Sequence, residues 1–371
     1  MTSLKRLVIK VGTSTLTDEE GNPNPDYIRR LAQDVFELSQ RGYSPILVSS
    51  GAIAAGMQAL KLPGRPKTIP QKQAAAAVGQ GLLMHLYSTE FGRLGINVAQ
   101  MLLTKDDLTD RKRYINARNT MNALLKLKAV PIINENDTTA VDEIRVGDND
   151  TLAALVAALA DASALVILSD VEGLYDHNPN EHEGAEIIRI VEKVDKTIEG
   201  LAGEAGTLRG TGGMRTKINA ARICAKSGVT MYIANGKQLN AVRRSLSGEI
   251  GSKFLASTAM PLKSKKRWMA FSLPPSGAVT INSGATRQII HGGKSLLAAG
   301  ITAVTGSFTS GEMVEVVDEY GTPIARGIVN YSADSLRQIM GKQSTAIEET
   351  LGVAGPDEVV HRDNLVLTAH G

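Results

Sequence analysis

Two polar clusters, Asn134-Glu135-Asn136-Asp137 and Gly147-Asp148-Asn149-Asp150, lie within seventeen residues of one another, and each adjoins an apolar run. The first follows Val130-Pro131-Ile132-Ile133, which reads as the end of a buried strand, and the second precedes the helical pattern of residues 152–159. Polar groups at such positions are costly to desolvate unless they meet a partner. Carboxylates and amides at strand ends and helix starts suit a charged small molecule, because open α/β sheets bind ligands at the carboxyl edge.

Three other segments could act with them. Gly210-Thr211-Gly212-Gly213-Met214-Arg215-Thr216-Lys217 is a glycine-rich turn entering a helix, where free amides and the positive helix end favour phosphate. It fits neither the Walker pattern nor the dinucleotide pattern, so a flexible connection is an equal reading of the turn alone. Lys10 sits in the body of an otherwise apolar strand before Val11-Gly12-Thr13-Ser14. A second phosphate contact explains it, and so would snorkelling to solvent. Ser49-Ser50-Gly51-Ala52 ends the next strand with hydroxyls and amides, as either ligand contacts or a plain helix cap.

Two patterns mislead. Gly293-Lys294-Ser295 ends like a Walker loop, but Gln288 stands at the required first glycine; His361-Arg362-Asp363-Asn364 imitates a protein-kinase catalytic loop, but only seven residues follow it. No nucleophile, His-based triad or set of side chains with metal-ligand spacing is visible, so no protein metal site is expected. Phosphoryl transfer to a carboxylate tolerates that lack, since the acceptor is already ionised near neutral pH. It needs in-line positioning and positive charge at the moving phosphoryl, which two lysines, turn amides and Mg²⁺ can supply.

The elements that must position these groups follow from periodicity. Strands are expected at residues 7–11, 46–48, 130–133, 165–168 and 229–234, and helices at 26–39, 71–91, 111–127, 150–159 and 215–226. That alternation predicts a mostly parallel sheet with helices on both faces. After about residue 255, Pro261, Pro274, Pro275 and the basic run 263–267 read as a linker. Short strands at 278–281, 303–305, 313–317 and 324–329, punctuated by glycines, then predict a small β-rich barrel or sandwich. The expected division is 1–257, a linker at 258–274, and 275–371. At 371 residues with 43% hydrophobic and 21% charged residues, the chain is globular, and about two domains are expected. A net charge of +3 names no nucleic acid or membrane partner. One cysteine, Cys224, excludes an internal disulfide, and with no signal peptide or membrane span the expectation is a soluble, cytoplasmic protein.

Taken in order, Lys10-Val11-Gly12-Thr13, Ser49-Ser50-Gly51-Ala52-Ile53, the two polar clusters, Leu168-Ser169-Asp170 and the 210–217 turn resemble the amino-acid kinase superfamily. The Asn-Glu-Asn-Asp and Gly-Asp-Asn-Asp pair, with the β-rich tail, resembles its glutamate-phosphorylating branch over about residues 5–365. The resemblance implies an αβα sandwich around a mostly parallel central sheet, followed by a PUA pseudo-barrel. It implies ATP- and Mg²⁺-dependent phosphorylation of the side-chain carboxylate of L-glutamate, the first step of proline synthesis. By the same resemblance, Lys10 and Lys217 neutralise the transferring phosphoryl and Asp150 orients them. Ser50, Asn134, Asp137, Asp148 and Asn149 match glutamate-binding positions. Lys10, Ser169, Asp170, Thr211, Gly212, Gly213, Met214, Arg215, Thr216 and Lys217 match the nucleotide site. Proline would inhibit over the glutamate site, with Glu143 and the 134–150 loop involved, and a homodimer or homotetramer is implied.

PUA domains are otherwise common in RNA-modifying enzymes, but from residue 258 onward ten Lys or Arg balance ten Asp or Glu. A structural or regulatory appendage is therefore preferred to an RNA-binding one. The chain departs from the family pattern at His177-Asn178-Pro179 and at Gly251-Ser252-Lys253-Phe254, neither a catalytic position.

Overall fold

β1 (Lys5–Val11) is buried on both faces, with Leu7, Val8, Ile9 and Val11 fully enclosed, as its unbroken apolar run requires of a central parallel strand. It pairs in parallel with β2 (Tyr43–Ser49) on one side and β5 (Ala164–Ser169) on the other. The computed structural model describes residues 5–18, 20–139, 148–179, 181–204, 213–257 and 275–368. They fall in two units, residues 1–261 and 262–371. The linker expected at 258–274 lies outside the described residues.

The larger sheet has eight strands in the order β3-β4-β2-β1-β5-β7-β8-β6, adding β3 (Val98–Leu103), β4 (Val130–Glu135), β6 (Ile190–Val191), β7 (Thr230–Asn235) and β8 (Ser252–Phe254). Every pairing is parallel except β7 with β8. The five strands expected from sequence are its five consecutive middle members. The three unforeseen ones lie outside them: β6 and β8 are two and three residues long, too short to show a period, and β3 has a neighbour on one side only.

Alternation along β1 sorts its side chains between two layers. Leu7, Ile9 and Val11 join a core with Tyr27, Leu31 and Val35 of α2 (Pro25–Gln40) and with Leu83, Tyr87 and Phe91 of α4 (Ile69–Gly92). Val8 and Lys10 point the other way, toward α7 (Asn149–Leu159). α4 packs so closely on α3 (Ala52–Ala59) that a Cβ on Gly56 would overlap the Ala75 carbonyl, and one on Gly79 the Ala52 carbonyl. Only glycine permits that approach.

The C-terminal unit has a five-stranded sheet in the order β11-β9-β12-β13-β15, from β9 (Gly277–Ile281), β11 (Ile301–Gly306), β12 (Met313–Val317), β13 (Pro323–Ile328) and β15 (Leu365–Leu367). A separate antiparallel pair joins β10 (Leu296–Leu297) to β14 (Glu358–Val360). Its core holds Val279, Ile281, Val314, Val316, Leu336 and Val359. The β-rich expectation omitted the helices Ser283–Ile290, Ala333–Ile339 and Ile347–Leu351, which are short enough to be mistaken for loops.

Candidate active site

Lys10, the penultimate residue of β1, does not snorkel: it is 8% exposed, and its Nζ lies 2.8 Å from Asp150 Oδ1. Lys217, in α9 (Met214–Ser227), is 4% exposed and donates to Asp150 Oδ2 at 3.1 Å. The Thr216 hydroxyl shares its proton between the same Oδ2 and the Gly213 carbonyl, at 2.8 Å each. A single carboxylate, itself 1% exposed, thus holds two ammonium groups from elements far apart in sequence. Burial alone would raise the Asp150 carboxyl, but Lys10 and Lys217, with hydrogen bonds from Lys10 and Thr216, hold it down at about 2. It stays ionised throughout the physiological range, and the trio carries one net positive charge.

α7 brings Asp150 there because its first turn is fixed. Asp148 caps it, taking the Asp150 and Thr151 amides on Oδ1 at 2.8 Å each and the Thr151 hydroxyl on Oδ2 at 2.8 Å. Capping thus engages both Asp148 carboxylate oxygens within the protein. Asn149, in the same turn, reaches the ends of β2 and β4. Its Nδ2 lies 2.9 Å from the Ser49 carbonyl, 2.8 Å from Ser50 Oγ and 3.2 Å from Asn134 Oδ1. The Ser50 hydroxyl is not a helix cap, since the cap of α3 is Gly51 at φ 90°, with no side-chain capping bond. Left-handed backbone there turns the chain sharply at the end of β2.

Asn134, at the end of β4, is 2% exposed, and its Oδ1 also accepts the Glu135 amide at 2.9 Å. Its Nδ2 donates to Gln80 Oε1 at 2.9 Å. Gln80 was not anticipated: it lies mid-helix between Gly79 and Gly81, and nothing in its neighbours marks it. The close approach of α4 at Gly79 carries it to the sheet edge. Ser49 meets the buried Tyr87 hydroxyl at 3.0 Å, which ties the end of β2 to the same helix. Asp137 is half-buried in the turn after β4.

At the end of β5, the Ser169 hydroxyl donates to Asp170 Oδ1 at 3.0 Å, and the Ser169 carbonyl accepts the Gly236 amide at 2.8 Å. Gly213 caps α9 without a side-chain bond, and Met214 and Arg215 open that helix, Arg215 exposed. Thr211, Gly212, Glu143 and Gly147 lie outside the described residues. The remaining expected side chains gather at the carboxyl ends of β1, β2, β4 and β5 and the starts of α7 and α9.

Comparisons with known proteins agree with this arrangement. The model of the amino acid kinase family matches residues 5–235, and that of the PUA domain matches residues 277–351. A glutamate 5-kinase of Caldanaerobacter subterraneus subsp. tengcongensis is 49% identical over 99% of this chain and 98% of its own. One from Moorella thermoacetica is 48% identical over 99% and 97%. Among solved structures, carbamate kinase from Giardia lamblia bound to AMP-PNP superposes with a TM-score of 0.52 at 17% identity, covering 69% of this chain and all of that one. That likeness speaks for the fold alone. Among the described residues no helix is long and apolar enough to cross a membrane. The family model, the extent of the close relatives and the site geometry agree: the chain belongs to the amino acid kinase family, in its glutamate 5-kinase branch.

Proposed function

We propose that this protein transfers the γ-phosphoryl group of ATP to the side-chain carboxylate of L-glutamate, giving L-glutamyl 5-phosphate and ADP as the first step of proline synthesis. The observation that carries the reading is the buried Lys10–Asp150–Lys217 trio. The bond from the γ-phosphorus to its bridging oxygen breaks, and a bond to a glutamate carboxylate oxygen forms. ADP keeps the bridging oxygen and its electron pair. No proton need move, since donor and acceptor are both anions.

The difficulty is electrostatic, because a carboxylate must approach a polyphosphate. Two lysines fixed in a water-poor site oppose that repulsion without reorganising. Asp150 keeps them parted and aimed, so it is a positioning group. Ser50, Asn134 and Asn149 offer hydroxyl and amide contacts to the two glutamate carboxylates, and Asp137 offers a counter-charge to its ammonium. Asp148, which caps the helix carrying Asp150 and Asn149, offers a second carboxylate to that ammonium. Ser169, Asp170 and residues 211–217 serve the nucleotide.

Among the described residues no group of three or more His, Cys, Asp or Glu could cage a metal, and Asp150 is occupied by lysines. Mg²⁺ therefore fits as the companion of the triphosphate, whose charge it shields. Proline shares the α-carboxylate and α-nitrogen of glutamate but has no acceptor carboxylate, so it would occupy the same contacts without turnover, with Glu143 as a further participant. Self-association as a homodimer or homotetramer and a cytoplasmic location belong to the same reading.

Measured ADP release with L-glutamate, L-aspartate, N-acetyl-L-glutamate and carbamate tests it. Turnover should appear with glutamate, and activity on any of the others without glutamate would refute the assignment. Added proline should raise the KM for glutamate and leave kcat unchanged.

A further inference from the structure

The fold brings together the two sequences that imitate nucleotide motifs. Ser295 of Gly293-Lys294-Ser295 accepts on its Oγ the backbone N–H of Arg362, from His361-Arg362-Asp363-Asn364, at 3.0 Å across 67 residues. The β10–β14 pair, matching Leu296 with Val360, holds them side by side. Between them and the helix Ser283–Ile290 lies a cavity of about 600 Å³. Ligand sites commonly enclose roughly 300–1,000 Å³.

The lining has two characters. Lys294, His361 and Arg362 stand on the rim, where Lys294 and Arg362 are exposed, and Glu358 is the one carboxylate among them. Ala285, Leu296 and Ala299 supply apolar surface. Asn282 caps the helix by accepting the Ala285 amide at 2.8 Å, so the helix start also faces this space. A cationic edge over an apolar wall suits an anionic head on an apolar or flat body.

We propose that this cavity is a binding site for a small organic anion, separate from the kinase site. Charge selects a small ligand over a polyanion. Residues 275–368 carry six Lys or Arg against ten Asp or Glu, a net −4. A nucleic acid spans many Debye lengths of about 8 Å and meets that whole field, whereas a small anion meets chiefly the cations beside it.

Phenyl phosphate, which joins an anionic head to an apolar ring, is the probe. Its binding to the full-length protein is measured by isothermal titration calorimetry, with benzyl alcohol as the neutral counterpart and a short RNA hairpin as the polyanion. We expect phenyl phosphate to bind and benzyl alcohol not to. The Lys294→Gln/Arg362→Gln variant should weaken binding by about tenfold or more, since each charge-assisted contact contributes at least about that factor. Both positions are exposed, so the variant should fold, which circular dichroism checks. Lys217→Ala should bind phenyl phosphate as the wild type does. Absence of binding at millimolar probe, or binding lost in Lys217→Ala and kept in the double variant, overturns the proposal. RNA binding that the double variant abolishes, with no phenyl phosphate binding, replaces the small anion with a nucleic acid.

Discussion

Two groups of cations mark this molecule, and they differ in burial. Lys10 and Lys217 are 8% and 4% exposed and share one carboxylate, whereas Lys294 and Arg362 stand exposed on the rim of an open cavity. The buried pair is fixed before any ligand arrives. Its charge works in low dielectric, and its loss would leave an uncompensated ion inside the protein. The exposed pair is screened by water and salt, so it can lend affinity to a ligand without stabilising the fold. The first arrangement suits a reaction that needs unchanging electrostatics, and the second suits reversible binding.

Asp150→Asn strains that contrast hardest, because it leaves two buried lysines without a counter-ion. Breaking a buried pair from one side costs about 3–5 kcal/mol. Urea unfolding should register a loss of that order with turnover nearly abolished; a variant as stable as wild type would show that the trio is not electrostatically coupled. Lys217→Ala comes next. Its kcat should fall about 10²-fold or more, with the KM for glutamate little changed, as for removal of a transition-state donor. A change within a few-fold would remove Lys217 from the chemistry.

Asn149→Ala should act on binding. Loss of its amide from Ser50 and Asn134 is expected to raise the KM for glutamate about tenfold while the KM for ATP stays near wild type. Equal rises in both would mean that the residue only shapes the loop. Gln80→Ala should shift KM in the same direction by less.

The pH dependence of stability separates two carboxylates. Asp150, held near 2, contributes stability above the ordinary carboxylate range that is lost as pH falls from about 4 toward 2. Asp34 is raised to about 6, chiefly by burial and opposed by Arg243, so its contribution is present at low pH and lost as pH rises through about 6. Asp34→Asn should flatten the stability curve between pH 4 and 6 by of order 1 kcal/mol, after allowance for solvent screening. Smallest of all, Lys294→Gln should leave glutamate turnover unchanged, and a lowered kcat would tie the C-terminal cavity to catalysis.

Some residues carried their role in sequence. A lysine within Leu7-Val8-Ile9-Lys10-Val11 has to find a partner or escape to water, because an apolar strand cannot otherwise hold it. The five middle strands were legible because burial on both faces leaves continuous apolar runs, while β3, β6 and β8 lacked that imprint. Ser50 shows where local pattern stops: cap and ligand contact look alike in Ser49-Ser50-Gly51, and only the structure shows that Gly51, not Ser50, stands at the cap. Asp148 shows the same limit, since a polar residue before a helical run does not reveal that both its carboxylate oxygens cap that helix. Gln80 left no trace, since its place depends on how closely α4 lies against α3.

The sequence by itself determined the parallel sheet, the cost of Lys10 and the clustering of polar groups at strand ends, since hydrophobic period and desolvation act along the chain. Only the tertiary structure decided that Asp150 would serve both lysines, that Gln80 would reach Asn134, and that two misleading motifs would close around one cavity. Those pairings join residues dozens to more than a hundred positions apart, and their geometry comes from the packing of helices and strands, which no local pattern encodes.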